Sequence, residues 1–233
     1  MKTLKEELQQ VVVGLQSNPQ QIITIFFEDY VPRGGAPALA ALDNAIKESG
    51  VEQFSFRPHE INHQTGSGVS IEWDVSKQGW PTIGWLRTHD LRLIIFTDDS
   101  GSSKALTYEW DYVLENVYGK ASINSETFCD LRAESSSTKD VVMKKTNGHP
   151  LLLMNYFPDV SLNFGSCVKC LSPYLYPRTG TSLVMELQDH VAAMKKQFGK
   201  LPNFIALNYA LGVNETLDET VVQFVEGLSK TIE

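Results

Sequence analysis

Residues 22–27 read Ile-Ile-Thr-Ile-Phe-Phe and run straight into Glu28-Asp29. The run is apolar on both faces and rich in β-branched residues, and it is too short for an ordinary helix. Such a run suits a parallel strand covered on both sides. Three further stretches repeat the pattern. Leu91–Thr97 ends in Asp98-Asp99, Leu151–Tyr156 carries Asn155 near its end, and Asn203–Tyr209 closes on Asn208-Tyr209. Helical spacing lies between them. Leu4, Leu8, Val11, Val12 and Leu15 predict a helix over 3–16, stopped by Asn18-Pro19 because the residue before proline avoids the α region. Helices are also predicted at 38–49, with Gly50 just past the end, at 81–88, at 182–198 and at 218–231. Gln53–Phe56 reads as a short strand, and 57–80 as a long loop. Residues 100–148 read as mostly irregular, with a helical turn near Trp110–Glu115. No internal repeat or low-complexity segment interrupts this order. Strands alternating with helices specify an α/β fold with a parallel sheet, and the whole chain, 1–233, reads as a single domain.

Polar residues gather where the predicted strands end: Glu28, Asp98, Asn155, Asn208 and Tyr209. Any one of them is explained by a strand leaving the core for solvent. Together they describe a rim, and in parallel barrels the C-terminal rim is where strand ends converge on one cavity. These five are the candidate substrate-binding residues.

The chain has 233 residues, 42% hydrophobic and 21% charged, with a formal net charge of -8, enough material for one large α/β domain. The acidic balance excludes a nucleic-acid partner, which needs clustered Lys and Arg, and it disfavours adsorption to an anionic surface. Lys144-Lys145 and Lys195-Lys196 are isolated pairs. Of the cysteines, Cys167 and Cys170 form a C-x2-C pair, but no second pair accompanies them as a structural zinc site requires. Cys129 bonded to one of the other two, or three free thiols, are the remaining readings. The opening MKTLKEELQQVVVGLQ has charge and glutamine where a secretion signal needs an apolar stretch, and no run approaches transmembrane length. The polypeptide as written therefore reads as soluble and without its own export address.

Five segments carry a resemblance. They are LKEELQQVVVGLQSNPQQIITIFFEDYVP (4–32), QGWPTIGWLRTHDLRLIIFTD (78–98), YEWDYVLENVYG (108–119) with Arg132-Ala133-Glu134-Ser135 just downstream, LLLMNYFPDV (151–160) and LPNFIALNYALG (201–212). In this order they resemble the later part of the X domain of the phosphatidylinositol-specific phospholipase C-like phosphodiesterases, most closely the plant-type secreted branch. The resemblance implies a TIM-barrel-like fold, here a partial barrel of about the last five strands of eight. It also implies phosphoric diester hydrolysis in lipid metabolism, on a phosphoinositide or another phosphodiester lipid headgroup. In the family one histidine removes a proton from the inositol hydroxyl and another protonates the leaving oxygen, and both belong to strands preceding those found here.

The resemblance assigns Glu28 as a calcium ligand, a carboxylate suited to a hard divalent cation. It places Asn208 where the family has an acid that orients the general base. Asparagine keeps that shape and loses the charge. The chain is accordingly expected to be an inactive or weakly active member, a pseudoenzyme candidate. The alternative is a non-catalytic binding or scaffold protein for anionic lipid headgroups, with Arg33, Arg87 and Arg132 as sources of positive charge. An open barrel would expose strand edges and so invite self-association, unless the protein is longer at its N-terminus. A glycosidase-like reading would pair Glu28 with Glu115, but Glu115 is expected in a loop. His59, His63, His89, His149 and His190 are expected to be surface or capping residues, and His59 with His63 lacks a third metal ligand.

Overall fold

A computed structural model describes residues 2–27, 36–99, 106–118, 124, 126–156, 161–164, 167–170, 181–207, 223–224 and 227. The chain divides into two compact units, Met1–Tyr112 with Asp140–Pro150, and Val113–Lys139 with Leu151–Glu233.

The first unit opens with helix α1 (Leu4–Ser17). The Thr3 hydroxyl accepts from the Glu6 N–H at 3.3 Å, and the Glu6 carboxylate accepts from the Thr3 N–H at 2.7 Å, which satisfies two of the donors a helix start leaves open. Strand β1 (Ile23–Phe27) follows, then α2 (Ala36–Ser49) and a 3-10 turn (Val51–Phe54). The predicted strand at 53–56 is thus mostly helical turn. Only Ser55 makes a strand-like bridge, to Leu93. The predicted loop at 57–80 contains a hairpin, β2 (Asn62–Gln64) with β3 (Ser70–Glu72), and a short helix α3 (Val75–Gln78). Helix α4 (Ile83–Thr88) is capped by the Thr82 hydroxyl, and β4 (Leu93–Thr97) pairs in parallel with β1, Ile23 opposite Leu93 through Phe27 opposite Thr97. The two-residue strand β5 (Thr107–Tyr108) extends the sheet from the end of β4, and a 3-10 turn (Glu109–Asp111) follows.

Alternation along β4 explains its continuous apolar run. Leu93 and Ile95 join Leu8 and Leu15 of α1, Leu42 and Ile46 of α2, and Phe54 in one core. On the other face Phe96 stacks on Phe26 with ring centres 5.1 Å apart. Arg92, just before β4, is a buried cation with a structural task. Its Nη1 donates to the carbonyls of Leu15, Asn18 and Gln21 at 2.9, 3.1 and 3.3 Å, and its Nε pairs with Asp90 at 2.7 Å. It therefore closes the C-terminal end of α1, whose last carbonyls have no partner within the helix.

The second unit holds β6 (Val113–Glu115), β7 (Leu151–Tyr156) and β10 (Phe204–Leu207), all parallel in the order β10-β7-β6. It also holds an antiparallel hairpin of β8 (Ser161–Phe164) and β9 (Cys167–Cys170). Helix α6 (Thr181–Phe198) lays Leu187, Val191 and Met194 against Met154 and Tyr156. Helix α5 (Ala133–Lys145) was not predicted. Its apolar residues are three in a row, Val141-Val142-Met143, of which only Val142 is buried, so no 3.6-residue spacing marks it. Among the described residues the strands make two three-stranded parallel sheets and two hairpins. The fold is mixed α/β, and within the described pairings neither sheet closes on itself. The helix predicted at 218–231 lies outside the described residues but for 223–224 and 227.

Arg92→Met removes the carbonyl cap and leaves the end of α1 unsatisfied. It is expected to lower unfolding stability by about 3 kcal/mol. Urea unfolding followed by far-UV circular dichroism checks this, and a loss below about 1 kcal/mol, the level of an ordinary neutral hydrogen bond, would contradict it.

Candidate functional site

A dense buried polar arrangement among the described residues of the second unit is built on Glu115, the last residue of β6. The register sets Glu115 opposite Leu153, so its side chain shares a sheet face with Leu153 and Asn155, while Met154 and Tyr156 turn toward α6. The Glu115 carboxylate is wholly buried. Its Oε2 accepts from Arg132 Nη1 at 2.8 Å and from Asn155 Nδ2 at 3.3 Å, while its Oε1 is buried with no hydrogen-bond partner. The backbone is held equally firmly. The Glu115 N–H donates to Ser135 Oγ at 2.8 Å, and the Arg132 N–H donates to the Glu115 carbonyl at 3.0 Å.

Two asparagines fix the frame. Asn155 donates through its backbone N–H to Asn116 Oδ1 at 2.6 Å and through Nδ2 to the Asn116 carbonyl at 3.1 Å. Asn116 Nδ2 in turn donates to the Phe128 and Asn155 carbonyls at 2.6 and 3.1 Å. The Arg132 side chain keeps 17% of its surface exposed, with its Nε buried. Its guanidinium lies 5.0 Å over the centre of the Tyr118 ring and 3.5 Å from the Glu134 carboxylate. The result is a planar cation held at the C-terminal end of two parallel strands, the geometry that suits bidentate binding of an oxyanion.

Asn155 stands where the sequence placed it, at the end of β7. Glu115 does not. It was expected in a loop and instead ends a strand too short, at three residues, to show alternation. The pairing of Glu115 with Glu28 as two carboxylates cannot be read here, because Glu28 lies outside the described residues, as do Asn208, Tyr209 and Arg33. In the first unit Asp98 and Asp99 follow β4 and are half-buried. Burial, and then the nearby carboxylates of Asp111, Asp98, Glu109 and Asp99, push the Tyr108 phenol above its ordinary pKa. Arg87 sits on α4 with its Nε on the Gln20 carbonyl at 2.7 Å, ahead of β1 and therefore at the opposite strand end.

Two of the histidines, His63 and His190, are buried in packing. His63 was expected at the surface but is 1% exposed. It stacks on Phe56 at 4.5 Å, with its Nε2 3.2 Å from the Trp73 carbonyl. His190 is buried too, 4.0 Å from Phe128 and edge-on to Tyr156, on the face of β7 opposite Asn155. His89 closes α4 through the Trp85 carbonyl at 2.8 Å, and His149 is exposed before β7. His59 is exposed, with Nδ1 3.3 Å from the Thr107 hydroxyl. Cys129 is a free thiol whose pKa burial pushes up, so the disulfide considered for it does not form. Among the described residues no three His, Cys, Asp or Glu side chains group as metal ligands, and no helix is long and apolar enough to cross a membrane. The described residues therefore offer no site that fits the calcium implied for Glu28.

Comparison with known proteins places these features in a family. A family model described as PI-PLC X 1 matches residues 1–221. A PI-PLC X domain-containing protein of Arabidopsis thaliana is 27% identical over 220 residues, covering 91% of this chain and 43% of that protein. The chain thus spans under half the length of that curated relative. No solved structure matches it significantly.

The buried His63 makes a prediction of its own. Burial lowers its pKa, partly offset by the Trp73 carbonyl and Glu60, while Arg57 and His59 add to the depression. The unfolded chain therefore takes up a proton that the folded chain refuses. Stability should be level above about pH 6.5, the ordinary histidine value, and should fall as the pH drops from there toward the folded pKa. Urea unfolding across this range checks it. The fall should be smaller in His63→Gln, and an acid limb unchanged in that variant would contradict the assignment.

Proposed function

The chain belongs to the PI-PLC X family, and on that premise we propose that it is a phosphatidylinositol phospholipase C-like protein. On this reading its own residues hold a phosphodiester lipid headgroup and turn it over weakly or not at all. The observation that carries the binding half is Arg132, whose guanidinium is fixed at the end of β6 by Glu115 and whose side chain is partly exposed. Such a group makes charge-assisted hydrogen bonds to phosphate oxygens.

The turnover half rests on the histidines. Transferring one proton from a hydroxyl and another to the leaving oxygen needs two groups flanking one phosphate. Here His63 and His190 are spent in aromatic packing, His89 caps a helix, and His59 stands beside Thr107. Asn208, where the resemblance implies an acid, supports the same half. The finer fold reading, the last five or so of eight TIM-barrel strands, belongs to this proposal. It is supported by the parallel pairings β1-β4-β5 and β10-β7-β6. A family match running through both compact units supports one domain over 1–233. Among the described residues β1, β5, β6 and β10 each have one neighbour in their three-stranded sheets, and such edges are where a second copy would add.

Cosedimentation with phosphatidylcholine vesicles, with and without phosphatidylinositol, tests the binding half. Binding should require phosphatidylinositol and weaken about tenfold or more in Arg132→Ala, the loss of a hydrogen bond to a charged group. Inositol cyclic phosphate should accumulate barely above the protein-free rate. Failure to bind would overturn the headgroup reading, and turnover like that of an intact phospholipase C would overturn the second half.

A further inference from the structure

We propose that Glu115 is a positioning residue, which fixes the Arg132 guanidinium in the orientation that meets an oxyanion before the anion arrives. The inference rests on the reading that Arg132 contacts the headgroup, and it assigns a task to a carboxylate that the sequence left in a loop.

Three observations converge. The first is the double tether. Glu115 Oε2 holds Arg132 Nη1 at 2.8 Å, and the Glu115 carbonyl holds the Arg132 backbone N–H at 3.0 Å. Both the root and the tip of the long side chain are therefore fixed to one strand end, and the Tyr118 ring limits one face of the guanidinium. The second is the asymmetry of burial. The carboxylate is fully enclosed while the Arg132 side chain keeps 17% of its surface exposed. The anion of the pair is thus the hidden anchor, and the cation is the less enclosed partner. The third is Oε1, buried with no hydrogen-bond partner.

A carboxylate removed from water with one oxygen unanswered is a poor device for stability. Well-packed apolar residues in place of such a pair often leave a fold as stable or more so. What the arrangement supplies is order. A free arginine side chain loses about 2 kcal/mol of rotamer entropy when fixed, and a guanidinium already fixed spares a ligand that loss. The frame is rigid in its own right, because Asn155 reaches the same Oε2 while its backbone is locked to Asn116.

The test uses the full chain and glycerophosphoinositol, a soluble phosphodiester headgroup, by titration calorimetry. Glu115→Gln keeps an acceptor for Asn155 and removes the charge that holds Arg132. Affinity should fall about tenfold, the order expected when a side chain must be ordered on binding. In nitrogen NMR the guanidinium of Arg132 should change from hindered to free rotation, and a loss of affinity with unfolding stability unchanged separates positioning from a merely structural role. Undiminished affinity in Glu115→Gln, with binding lost in Arg132→Ala, would overturn the positioning role and leave the headgroup reading standing. Native affinity in Arg132→Ala would instead overturn the headgroup reading and the inference with it. Should Glu115→Gln not fold, the native chain decides. Its Arg132 guanidinium should rotate slowly before any ligand is added, and free rotation there would refute the proposal.

Discussion

A carboxylate taken wholly out of water needs a cation and hydrogen-bond donors close by, and Glu115 imposes that need on its surroundings. Much of the local order in the second unit follows. Arg132 supplies the cation, Asn155 supplies a donor from the next strand, and Ser135 meets the Glu115 backbone from the first turn of α5. Asn116 then ties Asn155 back to β6. Helix α5 has little apolar surface of its own to bury, so these polar ties at its start do work that side-chain packing does elsewhere.

The first unit contains an instructive contrast. Arg92 is also a buried guanidinium beside a parallel strand, yet it is turned inward onto three carbonyls at the end of α1. Its Nε and Nη1 are engaged by the chain, and the side chain is buried. Arg132 is anchored by a hidden acid and keeps part of its surface in water. Two arginines of identical chemistry are thus enclosed differently, one as a structural cap and the other as the group proposed to meet a ligand.

The elements legible in the sequence were those that bury apolar side chains on a regular period. Ile23–Phe27, Leu93–Thr97, Leu151–Tyr156 and Phe204–Leu207 all lie within the predicted runs, because a strand covered on both faces must be apolar throughout. Gly50 marked a helix end in the same way, whereas the capping box at Thr3 was seen only in the structure. What escaped was held by polar contacts or was too short to have a period. Strand β6 has three residues. Helix α5 buries Ser135 and Val142 in a polar sequence, and His63 is enclosed by Phe56 and Trp73, which are distant from it in any periodic pattern. Of the rim residues proposed from strand ends, Asp98 and Asn155 stand at the ends of β4 and β7. The partner that makes Asn155 interesting, Glu115, was visible only as one acid in a quoted motif. The family itself was legible from ordered segments, since order along the chain survives divergence better than any single motif.

The central claim, that the Arg132–Glu115 pair is an anion site at a strand end, is tested most directly by a crystal structure of the chain with glycerophosphoinositol. It should show phosphate oxygens within hydrogen-bond reach of the Arg132 guanidinium, with the contact to Glu115 Oε2 intact. Phosphate bound instead at Arg87, or Arg132 swung away from Glu115 to reach it, would contradict the claim.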